Sequence, residues 1–253
     1  MRSFLWALGG TLFTFIMTAL GAALVFCFKN RISDRTNRLC FGFSGGVMSA
    51  AAVFSLLLPA AEQSKAAGGS AVITTALGFS VGAGLMLTLD AWLARMQAIG
   101  ADDARRKRAL LVSAVTLHNI PEGMAVGLSF ALAARGDAAM LAGAMALALG
   151  IGVQNVPEGA AIALPLRQSG ISRRRSFASG ALSGAVEPMA CFLAAMLMAL
   201  AAQAMPMLMS ISAGAMMFVV FAEMLPEAGA ARDGTLAAAA GYVIMMALDI
   251  GLG

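Results

Sequence analysis

LHNIPEGMAVGLS at 117–129 returns 36 residues later as VQNVPEGAAIALP at 153–165. The shared core is Asn-hydrophobic-Pro-Glu-Gly. His118 precedes Glu122 by four positions and Asn119 precedes it by three; Gln154, Asn155 and Glu158 repeat that spacing. Residues three and four apart share one helix face. Two such faces turned toward each other collect two carboxylates, one imidazole and three carboxamides. That is mixed oxygen and nitrogen ligation, suited to a borderline or hard divalent cation. Pro121 cannot donate to the carbonyl of Leu117, nor Pro157 to that of Val153, so each helix is predicted to kink and leave a carbonyl underused. Gly123 and Gly159 remove bulk beside each Glu and predict close helix approach there.

Working outward, both copies lie in apolar runs. The chain has 253 residues, is 60% hydrophobic and only 12% charged, roughly half the soluble-protein norm of about 25%. Apolar stretches of about 20 residues recur along its length, the mark of membrane-spanning helices. Spans are predicted near 4–28, 40–61, 71–94, 109–134, 138–166, 176–203, 206–229 and 235–252. The expectation is an all-α membrane protein of eight transmembrane helices, one transporter-type domain over 1–253. Arg2 precedes the run from Phe4 to Phe28; this run outlasts a signal-peptide core of about 7–15 residues and reads as a retained first helix. Short loops make neighbouring helices antiparallel, so the two motif copies meet in opposite directions. A fainter echo pairs LLLPAAE at 56–62 with EMLPEAG at 223–229. Inverted repeats with interrupted helices frame midplane sites in many transporters.

The net charge of +4 does not point to nucleic acid, because the basic residues sit in short loops. Segments 29–38, 95–108 and 167–175, with Arg232, hold 14 of the 17 Lys and Arg residues; Arg2, Lys65 and Arg135 fall on the other face. Positively charged loops stay cytoplasmic, which predicts both termini outside the cytoplasm and a multi-pass cell-membrane protein. The run Arg173–Arg175 also fits contact with anionic lipid of the bilayer.

Seven acidic residues lie in or beside the spans. Glu122, Glu158, Glu187 and Glu223 are deep, Asp90 and Asp249 lie in outer parts, and Glu62 is at a span end. An ionised carboxylate at mid-bilayer costs at least about 2.5–3.5 kcal/mol. No Lys or Arg lies at that depth, so the acids are either protonated or neutralised by a cation. Two facing Glu residues sharing one divalent ion is the economical arrangement. Asp249, near the chain end, reads as wetted at the interface. The 19 Met residues read mostly as core filler, and Cys27, Cys40 and Cys191, without CxxC spacing, as small apolar residues.

HNIPEG, the matching QNVPEG and the basic loops resemble the ZIP (Zrt/Irt-like) divalent metal transporters, over essentially the whole chain. Gln at 154, where many members carry His, is similar to the GufA-like bacterial branch. The resemblance implies transport of zinc, or of cadmium, iron or manganese, toward the cytoplasm by a homodimer. It implies a binuclear centre: His118, Glu122, Gln154 and Glu158 at one position, Asn119, Asn155 and Glu187 at the second, with Glu122 and Glu158 bridging. Met48 looks like a soft ligand on the path, and Glu62 and Glu223 like entrance and exit acids; Asp90 is a further pathway candidate. The loop RMQAIGADDARRKR lacks the histidines some members use to capture metal. Some relatives carry Asp where this chain has Asn155, which would hold the second metal more firmly.

Other classes fit less well. A zinc enzyme usually needs several His ligands or HExxH, and a di-iron bundle Glu-x-x-His pairs; this chain has one His and neither motif. A carrier of organic cations wants an aromatic cage, yet aromatics are 7% of residues.

Overall fold

The computed structural model describes residues 2–27, 33–97, 103–133, 138–168, 170–196, 198–229 and 231–252. Apart from short turns these are helical, with no strand among the described residues. Helix α1 spans Arg2–Ala23, followed by one 3-10 turn, Leu24–Phe26. Helix α2 runs Asp34–Ala66. Its start is fixed by Ser33, whose hydroxyl accepts from the Thr36 N–H at 3.1 Å, and by Asp34 in the first turn, where the helix dipole favours a negative charge. Then come α3 (Ala71–Gln97), α4 (Asp103–Ala133) and α5 (Ala138–Gln168). Helices α6 (Arg173–Ser183) and α7 (Val186–Met196) are two parts of one interrupted rod. Helix α8 covers Met198–Val219 and continues through Val220–Met224 and Leu225–Ala228; α9 is Arg232–Leu252.

Seven helices among the described residues are long and apolar enough to cross a membrane. The eighth expected span, 109–134, falls on α4, many of whose side chains lie outside the described residues. The expected boundary at Pro206 is not a helix end: Pro206 lies inside α8, and its carbonyl accepts the Ser210 hydroxyl at 2.7 Å. Neighbouring helices make such prolines tolerable in a membrane. Helices α4 and α5 likewise run unbroken through Pro121 and Pro157. The interruption falls between α6 and α7. Pro188 cannot donate to the carbonyl of Gly184, which the Glu187 N–H takes in a shorter loop, at 3.1 Å.

The fainter echo has a structural counterpart. Ala52–Leu57 in α2 and Val220–Met224 in α8 are both single π-helical turns, and each is followed at once by Leu-Pro, Leu58-Pro59 and Leu225-Pro226. The proline removes one donor from the ladder, and the widened turn absorbs the mismatch. Each π turn carries a polar residue, Ser55 or Glu223.

The helices pack mainly as α2 with α9, α1 with α5, α3 with α8, and α4 with α7. Closest approach occurs at glycine. A Cβ on Gly123 of α4 would lie 2.3 Å from the Glu187 carbonyl oxygen, and one on Gly159 of α5 2.0 Å from that of Thr18. The expectation of close packing beside both motif glutamates therefore holds. The largest apolar cluster joins α2, α4, α5, α7 and α8 through Ala, Val and Met side chains.

Three chain segments rich in basic residues meet at one end of the bundle. Arg38 pairs with Asp233 in α9's first turn through Nη2 at 3.2 Å and Nε at 3.4 Å, with Arg35 at 3.8 Å. Phe26 after α1 stacks against Phe177 near the start of α6, ring centroids 5.4 Å apart. Asn37 and Cys40 of α2 share a small pocket with Ala160 and Leu164 of α5. The starts of α2, α6 and α9, with Arg35, Arg38, Arg173–Arg175 and Arg232, thus lie at the same end.

Candidate metal centre

The two motif faces do meet. Gln154 Nε2 of α5 donates to Glu122 Oε1 of α4 at 2.5 Å. Glu122 and Glu158 are buried, 3% and 2% exposed, and Asn119, Asn155 and Glu187 are completely enclosed. The three carboxylates are close enough to interact electrostatically. Both oxygens of Glu158 are buried with no hydrogen-bond partner among the described residues. The same holds for Asn119 Oδ1 and Asn155 Oδ1. The centre thus gathers anionic and neutral oxygen acceptors, while no Lys or Arg is buried among the described residues.

The carboxamide nitrogens are all engaged, Gln154 and Asn155 with carboxylates of the centre and Asn119 with the backbone. Asn119 Nδ2 donates at 3.0 Å to the carbonyl of Ser183, the last residue of α6 before the interruption. Asn155 Nδ2 donates to Glu187 Oε1 at 2.9 Å and reaches the Thr14 carbonyl at 3.3 Å. Glu187 sits in the first turn of α7, where backbone N–H groups and the helix dipole favour an anion. The broken rod therefore places a carboxylate against the motif pair. A further hydrogen bond joins the Thr14 hydroxyl of α1 to Glu187 Oε2, and Thr18 Oγ1 donates to Oε1 at 3.4 Å.

One predicted ligand, His118, has a side chain outside the described residues. Among the described residues no three His, Cys, Asp or Glu side chains are grouped as a metal cluster; the assembly relies on carboxamides beside its carboxylates. Of the predicted pathway residues, Met48 is 3% exposed within the apolar cluster. Glu62 is exposed near the end of α2, Asp90 is half-buried on α3, and Glu223 is buried in the π turn of α8. None of these four lines the cavity that reaches the centre.

That cavity has a volume of about 370 Å³ and extends from Glu122 to Asp249, past Ser55, Gln63, Gly150 and Met245. It opens among the end of α9, the second half of α2 and the first half of α5, away from the basic end. Asp249 is half-buried and accepts the Ser55 hydroxyl at 2.7 Å, a partner that its position near the chain end did not foretell. Ser55 Oγ also lies 3.4 Å from Gln154 Oε1. A polar line therefore runs from Asp249 through Ser55 and Gln154 to Glu122. Sequence reasoning missed Ser55, a lone hydroxyl in an apolar run, and the threonines of α1. Thr11, Thr14 and Thr18 recur at helical spacing in an otherwise apolar span, a signal that would have found them.

Apolar helices long enough to cross a bilayer, enclosing facing carboxylates and carboxamides, define a multi-pass membrane protein with a buried polar centre. The family model described as ZIP Zinc transporter matches residues 97–249, and the chain belongs to that family. It is 36% identical to Zinc transporter ZIP11 of Bos taurus over 98% of this chain and 97% of the relative. It is 38% identical to Zinc transporter ZIPB of Bordetella bronchiseptica over 94% of this chain and 79% of that protein. Against Zinc transporter GufA of Myxococcus xanthus the identity is 33%, over 93% and 94%. The GufA-like likeness expected from Gln154 is supported by that match.

Proposed function

We propose that this protein moves zinc, or a similar divalent cation such as cadmium, iron or manganese, across the cell membrane toward the cytoplasm, and that it is a transporter and not an enzyme. The observation that carries this reading is Glu158, with two buried oxygens lacking a hydrogen-bond partner among the described residues, close to Glu122 and Glu187. Three acids in a water-poor enclosure need positive charge, and a divalent ion supplies it at once. Glu122 and Glu158 bridge two metal positions. His118 and Gln154 complete the first, and Asn119, Asn155 and Glu187 the second. The names of the relatives favour zinc as the substrate.

The cavity and the charge pattern support that direction. The cavity opens away from the basic segments, which the positive-inside rule assigns to the cytoplasm. Metal enters past Asp249 and Ser55, reaches Glu122 and leaves toward the basic end. The single domain over 1–253, the extracytoplasmic termini and the homodimer belong to the same reading. Uptake of radioactive zinc into proteoliposomes tests it: E122A/E158A lowers uptake at least about a hundredfold, as expected when a buried charged partner is removed. Undiminished uptake by that double variant overturns it.

A further inference from the structure

We infer that Thr14 and Thr18 of α1 form a releasable clamp on Glu187 that keeps the second metal position weak, so that it serves transit and not storage. The inference rests on the binuclear reading above. Glu187 is the anionic ligand that belongs to the second position alone, and the protein already holds both its oxygens. Oε2 receives the Thr14 hydroxyl, and Oε1 receives Asn155 Nδ2 at 2.9 Å and Thr18 Oγ1 at 3.4 Å. Apart from the bridging Glu122 and Glu158, what remains open at that position is neutral: Asn119 Oδ1 and Asn155 Oδ1, buried and without hydrogen-bond partners among the described residues. A metal arriving there shares the bridging acids with the first position, meets two carboxamide oxygens and must compete with three donors for the one carboxylate that is the second position's own.

Each of the three donors also has a second acceptor on the backbone of α1. Thr14 Oγ1 is 3.1 Å from the Thr11 carbonyl, Thr18 Oγ1 is 3.3 Å from the Thr14 carbonyl, and Asn155 Nδ2 is 3.3 Å from that same Thr14 carbonyl. A hydroxyl has one proton to give. It goes to Glu187 when the second position is empty and to the helix carbonyl when metal takes the carboxylate. Such bonds to the carbonyl three or four residues back are ordinary for threonine in a helix. The exchange leaves no donor stranded in the enclosed site, which is what makes the clamp releasable. Thr14 and Thr18 are four apart, and both are completely buried on the face of α1 that meets the centre.

The two threonines are therefore positioning residues, and their effect is read in the second metal's affinity. Zinc binding to the purified full-length protein is measured by calorimetry for wild type, T14V/T18V and T14S/T18S, alongside thermal unfolding with and without zinc. Wild type binds one zinc tightly and a second weakly. T14V/T18V keeps the tight site and tightens the weak one about tenfold, the effect of removing a charge-assisted hydrogen bond from a competing acceptor. Its zinc transport shows a lower KM and a lower kcat, because the second ion leaves slowly. T14S/T18S, which keeps the hydroxyls, behaves as wild type. If T14V/T18V does not fold, T18V carries the same test with a shift of about threefold, its contact being the longer one.

A weak site that is unchanged or weaker in the valine variants overturns the clamp, as does a second zinc undetectable up to about 1 mM in every protein, a limit set by ordinary affinity arithmetic. Wild type that binds no zinc at all defeats the binuclear reading instead, so the two failures are distinct.

Discussion

Asp249 and Ser55 illustrate how much a single side chain can gain from distant neighbours. Asp249 stands three residues from the last helical residue of α9, and by sequence position it belongs in interfacial water. In the fold its carboxylate accepts a hydroxyl from 194 residues away and lines the cavity leading to Glu122. A carboxylate there raises the local concentration of cations approaching the centre. D249A is expected to raise the KM for zinc about three- to tenfold while kcat stays within about twofold, since it alters the cavity and not the motif glutamates. Uptake kinetics over a range of zinc concentrations check this, and an unchanged KM removes Asp249 from the route. Met48, expected as a soft ligand by resemblance, sits in the apolar cluster, some of whose members line the cavity although Met48 itself does not.

At the scale of the element, the motifs do their work because their helices touch. Gly159 allows the α1 backbone to approach, and Thr14 and Thr18 are brought within reach of the centre by that same contact. A methyl at 159 meets a backbone oxygen, which has no flexible end to move aside. G159A is expected to destabilise the protein by about 1–3 kcal/mol through overpacking. G143A on the same helix meets nothing within 4 Å and is expected to be neutral or slightly stabilising, given the better helix propensity of alanine. Thermal unfolding of both variants in the same detergent measures the difference; equal midpoints would remove the close-contact account. The two π turns have a parallel cause, since each precedes Leu-Pro and each holds its polar residue at the helix irregularity that a proline creates.

For the whole molecule, the charge pattern and the contacts agree on which segments share an end. The loop holding Arg232 carries more acid than base, Glu227 and Asp233 against one arginine. The Arg38–Asp233 pair sets the start of α9 beside the start of α2. If the basic end is cytoplasmic, a cysteine placed at Arg174 in a background lacking the three native cysteines reacts with a membrane-impermeant thiol reagent in inverted vesicles and not in intact cells. A cysteine at Gln63, on the cavity, shows the reverse. Labelling with the opposite sidedness would invert the transport direction proposed above.

The amino-acid sequence by itself determined the membrane class, most span positions, the paired Asn-x-Pro-Glu-Gly faces and the close approach at Gly123 and Gly159. These are local properties: hydropathy over about 20 residues and spacing within one helical turn. The tertiary structure decided which helices became neighbours. It joined Gln154 to Glu122, brought α1 against Glu187, and led the cavity from Glu122 to Asp249. Such contacts depend on how rods of nearly uniform apolarity select partners, through backbone proximity at glycine and through polar groups that must be satisfied inside the bundle. Neither term has a period that can be read along a single chain.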